Sequence, residues 1–211
     1  MIDASTLESK LQELVKREWD REAIEGRCRN LTRYGIPSKK LNRDTLLFNK
    51  QEILDRVQRH AEEYNFILMN CAKSTALAVM EEFGLGNIEI VQALSPFPGF
   101  GGTGWMCGGV TGGLISLGLY GGDMDLLNHD AVGHTIQLAR VFMSRFENEV
   151  GFVTCSQVQE KLIFGRYMDP AASPENMQAF AEAKGFEKCS LAPGIGARLA
   201  SEIIIDQIIT G

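Results

Sequence analysis

Five cysteines, Cys28, Cys71, Cys107, Cys155 and Cys189, are the residues of this chain best equipped for chemistry. Thiols bind metals, hold iron–sulfur clusters, or cycle with disulfides. Spacing narrows the choice. No Cys-x-x-Cys pair occurs, so zinc-ribbon, rubredoxin-like and ferredoxin-like arrangements find no support. No Cys-x-x-Cys-His occurs, so no covalent haem is expected. On spacing alone, scattered cysteines read most simply as unrelated buried residues.

Their local settings point elsewhere. Thr154 with Gln157 three residues on is a capping box, which puts Cys155 in a first helical turn. Cys107 opens a helix directly after a glycine loop. Cys71 follows Asn70, a good cap, and Cys189 stands just before the Ser190–Gly194 turn that starts the last helix. All four therefore lie at or near helix N-termini. Such ends carry partial positive charge and free N–H donors, which lower thiol pKa values and stabilise thiolates. A metal ligand or redox thiol benefits from that placement, and a structural cysteine does not need it. Cys28, between Arg27 and Arg29, falls outside the set.

The loop before Cys107 reads Pro98-Gly99-Phe100-Gly101-Gly102-Thr103-Gly104-Trp105-Met106. Gly101, Gly102 and Gly104 let backbone approach a buried object closely. Gly108, Gly109, Gly112 and Gly113 then fall inside an apolar helix, where each costs about 0.5–1 kcal/mol relative to Ala. Two accounts offset that cost: close helix packing, or room for a cofactor beside Cys107. On the second account Gly101, Gly102, Gly104 and Gly108 are the cofactor-binding candidates. Trp105 and Met106 would shield Cys107 from water. A nucleotide loop is not supported, because neither a preceding strand nor Gly-Lys-Ser/Thr is present.

The positioning elements read as helices throughout. Ser5 with Glu8 is a capping box, and Leu7, Leu11, Leu14, Val15 and Trp19 follow at helical spacing, so a helix is expected over about 5–25, closed near Gly26. Arg27 to Asn49 is basic and polar and reads as an arm. Further helices run through Ile53–Leu68, Cys71–Phe83 and Ile88–Leu94, the last stopped by Ser95-Pro96. Whether Asn70 begins a new helix or sits inside a continuous one is open. The strongest periodicity, Val132, Ile136, Ala139, Phe142, Phe146 and Val150, marks a helix from near Asn128. Ser173-Pro174 starts another that runs to Gly185, and a last helix follows Pro193-Gly194. No period-2 strand, repeat or low-complexity tract occurs. The fold class is all-α, a helical bundle in which the apolar glycine-rich helix is central. Residues 1–50 form an N-terminal helix and basic arm, and residues 51–211 a four-cysteine helical redox domain.

Composition sets outer limits. The 211 residues are 45% hydrophobic and 23% charged, enough for a sizeable core. A net charge of −6 and 8% aromatics argue against a nucleic-acid-coating role. Met1-Ile2-Asp3-Ala4-Ser5 has no secretory signal character, and no apolar run is long enough to span a membrane. The cytoplasm is the expected compartment, where disulfides are not structural.

The pattern around the cysteines resembles the redox-active four-cysteine family called C_GCAxxG_C_C, marked by a CGAxxG motif. Asn70-Cys71-Ala72, Phe100-Gly101-Gly102, Cys107-Gly108-Gly109-Val110-Thr111-Gly112, Thr154-Cys155-Ser156 and Cys189 carry the likeness, in order, from about residue 60 to the C-terminus. Gly109 stands where the family usually has alanine, and the segment through Cys28 lies outside the match. The resemblance implies a redox role with Cys71, Cys107, Cys155 and Cys189 as the functional set. A related domain accompanies haems in split-Soret cytochromes c, where it has been linked to an iron–sulfur centre. By that likeness the four cysteines would hold an iron–sulfur cluster, [2Fe–2S] in type.

Other groups read more plainly. Asp123, Asp125, His129, Asp130 and His134 lie close in sequence, but acids favour a helix start regardless of any metal. His60 precedes Cys71 on a helix and is either near the cluster or an ordinary half-exposed histidine. The leading expectation is an electron-transfer protein with a redox partner protein, working as a homodimer without nucleic acid or membrane. A cofactor-free thiol–disulfide protein, with Cys71 and Cys107 cycling, stays open. So does a structural bundle with incidental cysteines.

Overall fold

Short polar side chains start the helices of this chain, each taking up an amide that the first turn leaves free. Asp20, Asn42, Asn70, Asn87, Asn128, Thr154 and Ser173 all accept from a backbone N–H three residues on. The computed structural model describes residues 4–210. Met1 to Asp3, part of the stretch read above as lacking a secretory signal, lie outside the described residues.

The elements run α1 (Ala4–Lys16), α2 (Arg21–Tyr34), α3 (Arg43–Phe48), α4 (Lys50–Leu68), α5 (Cys71–Phe83), α6 (Ile88–Ala93), α7 (Gly99–Gly102), α8 (Gly108–Gly121), α9 (His129–Val150), α10 (Cys155–Gln157), a π-helical turn (Val158–Ile163), α11 (Pro174–Glu182), α12 (Gly185–Lys188) and α13 (Leu191–Thr210). Among the described residues the only extended pairing is one isolated antiparallel bridge, Met106 with Thr154. The fold is all-α. Among the described residues no helix is long and apolar enough to cross a membrane.

Helices α4, α5, α8 and α13 form the core, and α8 packs against α5, α9 and α13. Its glycines serve that packing. A Cβ on Gly109 would lie 2.5 Å from the Ala192 carbonyl oxygen, and one on Gly112 2.5 Å from that of Ala72. A Cβ on Gly196 would strike the Gly109 backbone, and one on Gly113 the Phe142 ring. Close approach of helix backbones therefore accounts for Gly109 and Gly112, and the Phe142 ring for Gly113.

The N-terminal region departs from expectation. The helix expected over 5–25 is two helices, broken between Lys16 and Arg21. Ser5 lies within α1 rather than ahead of it. Three contacts set the break. Asp20 caps α2, Trp19 stacks on Phe66 with centroids 4.5 Å apart, and Arg17 turns inward to Glu62 at 2.6 Å. Gly26 does not end a helix but sits inside α2 with open space around it. The expected arm 27–49 is helical through Tyr34 and again over α3. Leu7, Leu11, Leu14, Ile24, Leu31 and Leu46 join one buried apolar cluster with the helices that follow. At the other end, α11 stops at Glu182 instead of reaching Gly185, and α13 begins two residues before Pro193.

Glu62, only 1% exposed, holds α1 in place. It receives Lys10 at 3.1 Å, Arg17 at 2.6 Å and Gln58 at 3.1 Å. Replacing Glu62 with Ala would leave Arg17 only its pair with Glu13 at 2.7 Å and remove three charge-assisted contacts. A loss of about 2–3 kcal/mol is expected in denaturant unfolding, the lower side of the buried-pair range because both cations are part-exposed. An unchanged midpoint would refute this account of the α1 anchor.

Val132 and Ile136, in the first half of α9, are exposed, as are Met124, Leu126 and Leu127 of the preceding loop.

Candidate functional site

Asn70 does begin a new helix. Leu68 ends α4, Met69 takes a left-handed conformation at φ 50°, and the Asn70 carboxamide accepts from Lys73 N–H at 3.0 Å. Cys71 is thus the first residue of α5. The glycine loop then turns back on it. Gly99, Phe100, Gly101, Gly102 and Gly104 all have positive φ, a sequence of turns that glycine makes easily and Phe100 makes under strain. The result is that backbone N–H groups of Gly99 and Gly108, with those of Cys71 and Ala72, face the Cys71 sulfur. A Cβ on Gly108 would collide with that same sulfur. Here the helix glycine makes room beside a thiol.

Cys107 and Cys155 are joined through the main chain. Around the Met106–Thr154 bridge, Cys107 N–H donates to Val153 at 2.9 Å, Cys155 N–H to Trp105 at 2.5 Å, and Ser156 N–H to Gly104 at 2.9 Å. Cys107 is the N-cap of α8 and Cys155 the first residue of α10. The π-helical turn that follows carries Gln159, a buried side chain with two duties. Its Nε2 donates to the Cys155 sulfur at 3.6 Å, and its Oε1 accepts from Met168 N–H at 2.8 Å. Such π turns often occur at functional sites. Cys189 ends α12, donating its N–H to Gly185 at 2.9 Å, and lies two residues before α13. It therefore sits at a helix C-terminus as well as ahead of an N-terminus.

The four thiols line one cavity of about 470 Å³, and Cys28 is not among its walls. Gly101 and Gly102 also line it. Gly104 does not; it packs against Tyr167 and Ser156. Cys107 is buried, and the partial exposure of Cys71, Cys155 and Cys189 goes with their place on the cavity wall. The remaining walls come from segments with no chemical signature in the sequence: Gln159, Tyr167, Met168, Asp169, Phe180 and Phe186. Gln159 alone had a signal, its place four residues after Cys155, on the same helix face.

The electrostatics reverse the expected direction. Burial raises the thiol pKa at all four positions, and at Cys155 it reaches about 12. The backbone N–H groups facing Cys71, and that of Gly109 at Cys107, act downward but are outweighed. After burial, the next influence on Cys107 is the charge of Cys71 and then of Cys155; on Cys189 it is Cys155 and then Cys71. The four ionisations oppose one another because they share a single low-dielectric neighbourhood. Helix termini alone cannot hold four thiolates here. A bound cationic group could.

Other expectations resolve simply. Trp105 is 66% exposed and does not shield Cys107. His60 pairs with Glu81 at 3.4 Å on another face and is not a cavity residue. Asp123 accepts from Asp125 N–H and from Asn128, ordering the turn before α9. Among the described residues, no group of three or more His, Cys, Asp or Glu side chains is gathered tightly enough for a single metal ion.

A family model described as "Putative redox-active protein (C_GCAxxG_C_C)" matches residues 69–203, more than half the chain and the span that carries all four cavity thiols. The chain belongs to this family. Membership supports a redox role for the C_GCAxxG_C_C chain described here, and its matched span begins one residue before the Asn70 cap. No curated protein and no solved structure matches it significantly.

Proposed function

We propose that this chain is a cytoplasmic electron-transfer protein that holds an iron–sulfur cluster, [2Fe–2S] in type, on Cys71, Cys107, Cys155 and Cys189, and exchanges electrons with a protein partner. The observation that carries the reading is the convergence of four distant thiols on one cavity wall. Four Cys ligands suit such a cluster. When bound, the cluster would supply one-electron chemistry and the positive charge that the buried thiolates lack. The chain's own residues supply the rest. Amides of Gly99, Gly108 and Gly109 face the Cys71 and Cys107 sulfurs, and Gln159 orients Cys155.

Anaerobic purification followed by absorption, iron and sulfide analysis tests this. About two iron and two sulfide per chain with broad visible bands are expected, and a Cys107→Ser variant should lose both. A colourless protein without iron or labile sulfide would overturn the reading. The second reading, cofactor-free cycling of Cys71 with Cys107, is favoured by the close seat of the Cys71 sulfur against Gly108, next to Cys107. It then requires that free-thiol counts before and after reductant differ by about two.

A further inference from the structure

The cavity extends well beyond the four thiols. At about 470 Å³ it falls in the range of sites for small organic molecules, about 300–1,000 Å³. The thiols form one part of its wall. The part contributed by α11, α12 and the segment before them is apolar and aromatic, with Met168, Met177, Phe180 and Phe186. Phe180 packs edge to face with Phe186 at 5.2 Å and with Phe164 at 5.5 Å, an aromatic cluster at this end of the wall.

The polar groups that line the cavity are largely engaged already. Gln159 uses both ends of its amide, Tyr167 O–H donates to Gly102, and Asn65 donates to Ser190. No Lys, Arg or His lines it among the described residues, and Asp169 is its one carboxylate. One Asp169 oxygen accepts from Ala171 N–H, and the other lies close to Gly102, 3.8 Å from where a Cβ there would stand. A site built this way offers an anion no counter-charge and repels it at Asp169. It rewards an uncharged apolar ring. Met69, Tyr167 and Met177, all partly exposed, leave a way in from solvent.

We propose that the cavity binds, beside the four thiols, an uncharged aromatic molecule of one or two rings as a ligand of the redox site. The proposal rests on the redox reading for its role but not for its binding. The ring lies against Phe180, Phe186 and Met168, with Met177 at the edge and Asp169 excluding carboxylates, sulfonates and phosphates.

The test uses two probes of one shape, 2-naphthylmethanol and 2-naphthoate, titrated by calorimetry into the full chain as purified anaerobically and again after metal removal. The neutral probe is expected to bind and the anion to bind at least about tenfold more weakly. Asp169→Asn should narrow that gap. Met177→Arg, at a position 40% exposed, should weaken the neutral probe while leaving the melting temperature and iron content unchanged. The neutral probe should also slow alkylation of Cys155 by iodoacetamide and leave Cys28 unaffected. Equal affinity for the two probes, or no binding of either, would overturn the proposal even in iron-loaded protein. Binding of the neutral probe with that selectivity in a protein that contains no iron would keep it, while the cluster reading alone would fall.

Discussion

Replacing Gly109 or Gly196 with alanine is expected to destabilise the chain by about 3 kcal/mol or more, the upper end for overpacking, because the added methyl meets backbone and not a yielding side chain. Gly109 faces the Ala192 carbonyl at 2.5 Å and Gly196 faces the Gly109 backbone, so each marks the same crossing of α8 and α13 from opposite sides. A helix would have to move to admit either methyl. The start of α13 moves with Cys189, so Gly109→Ala should also impair the site. Gly118 and Gly133 provide internal controls, since both are helical, exposed, and free of neighbours within 4 Å. There alanine should stabilise by about 0.5–1 kcal/mol through helix propensity alone. Urea unfolding of the four single variants measures the contrast. If Gly109→Ala unfolds at the parent's midpoint, the close crossing of α8 and α13 is wrong.

The second large effect concerns protons. Raising the Cys155 pKa from the ordinary 9.0 to about 12 lowers its thiolate fraction at neutral pH by about a thousandfold. Disulfide reagents at pH 7 should therefore react with Cys155 of the metal-free chain about 30–60-fold more slowly in the folded state than in denaturant, the loss of thiolate being partly offset by the greater nucleophilicity of a more basic thiolate. Stability follows the same shift. Below pH 9 the thiol is protonated in both states and stability is fully present. From pH 9 upward the unfolded chain releases the proton and the folded chain keeps it. Stability then falls by about 1.4 kcal/mol per pH unit for each such thiol, until the folded thiol ionises near pH 12. Melting the metal-free chain from pH 7 to 11 should show this fall, and a variant with serine at the four positions should lack it. Metal uptake at neutral pH must conversely expel thiol protons. A flat alkaline profile identical to that of the serine variant would show that the thiols are not held neutral.

Much of this architecture could be read from residue types because it is local. Asn128 and the apolar spacing from Val132 to Val150 place α9, and Thr154 and Gln157 place Cys155. The four cavity thiols were legible for the same reason, as cysteines standing beside caps and glycine turns. The chain at 21–34 was not, because its inward face holds only Ile24 and Leu31, and ion pairs such as Arg29 with Glu25 support a helix that looks polar throughout. The break after α1 depends on Glu62 and Phe66, more than 40 residues away. The sign of the thiol shifts was misread because helix-end donors are visible in sequence and burial is not. Cys107 has a favourable cap position yet lies where desolvation outweighs it. The far wall of the cavity, from Tyr167 to Phe186, reaches the thiols only through tertiary folding.

The Met106–Thr154 bridge gives the site unequal stiffness. Cys107 and Cys155 hang from a shared set of main-chain bonds, so thermal motion moves them as a pair. Cys71 opens the core helix α5 and Cys189 caps the short α12, and the Asn65–Ser190 side-chain hydrogen bond is what links their surroundings. The four positions thus fall into two pairs, one joined through main chain and the other through a single side-chain bond.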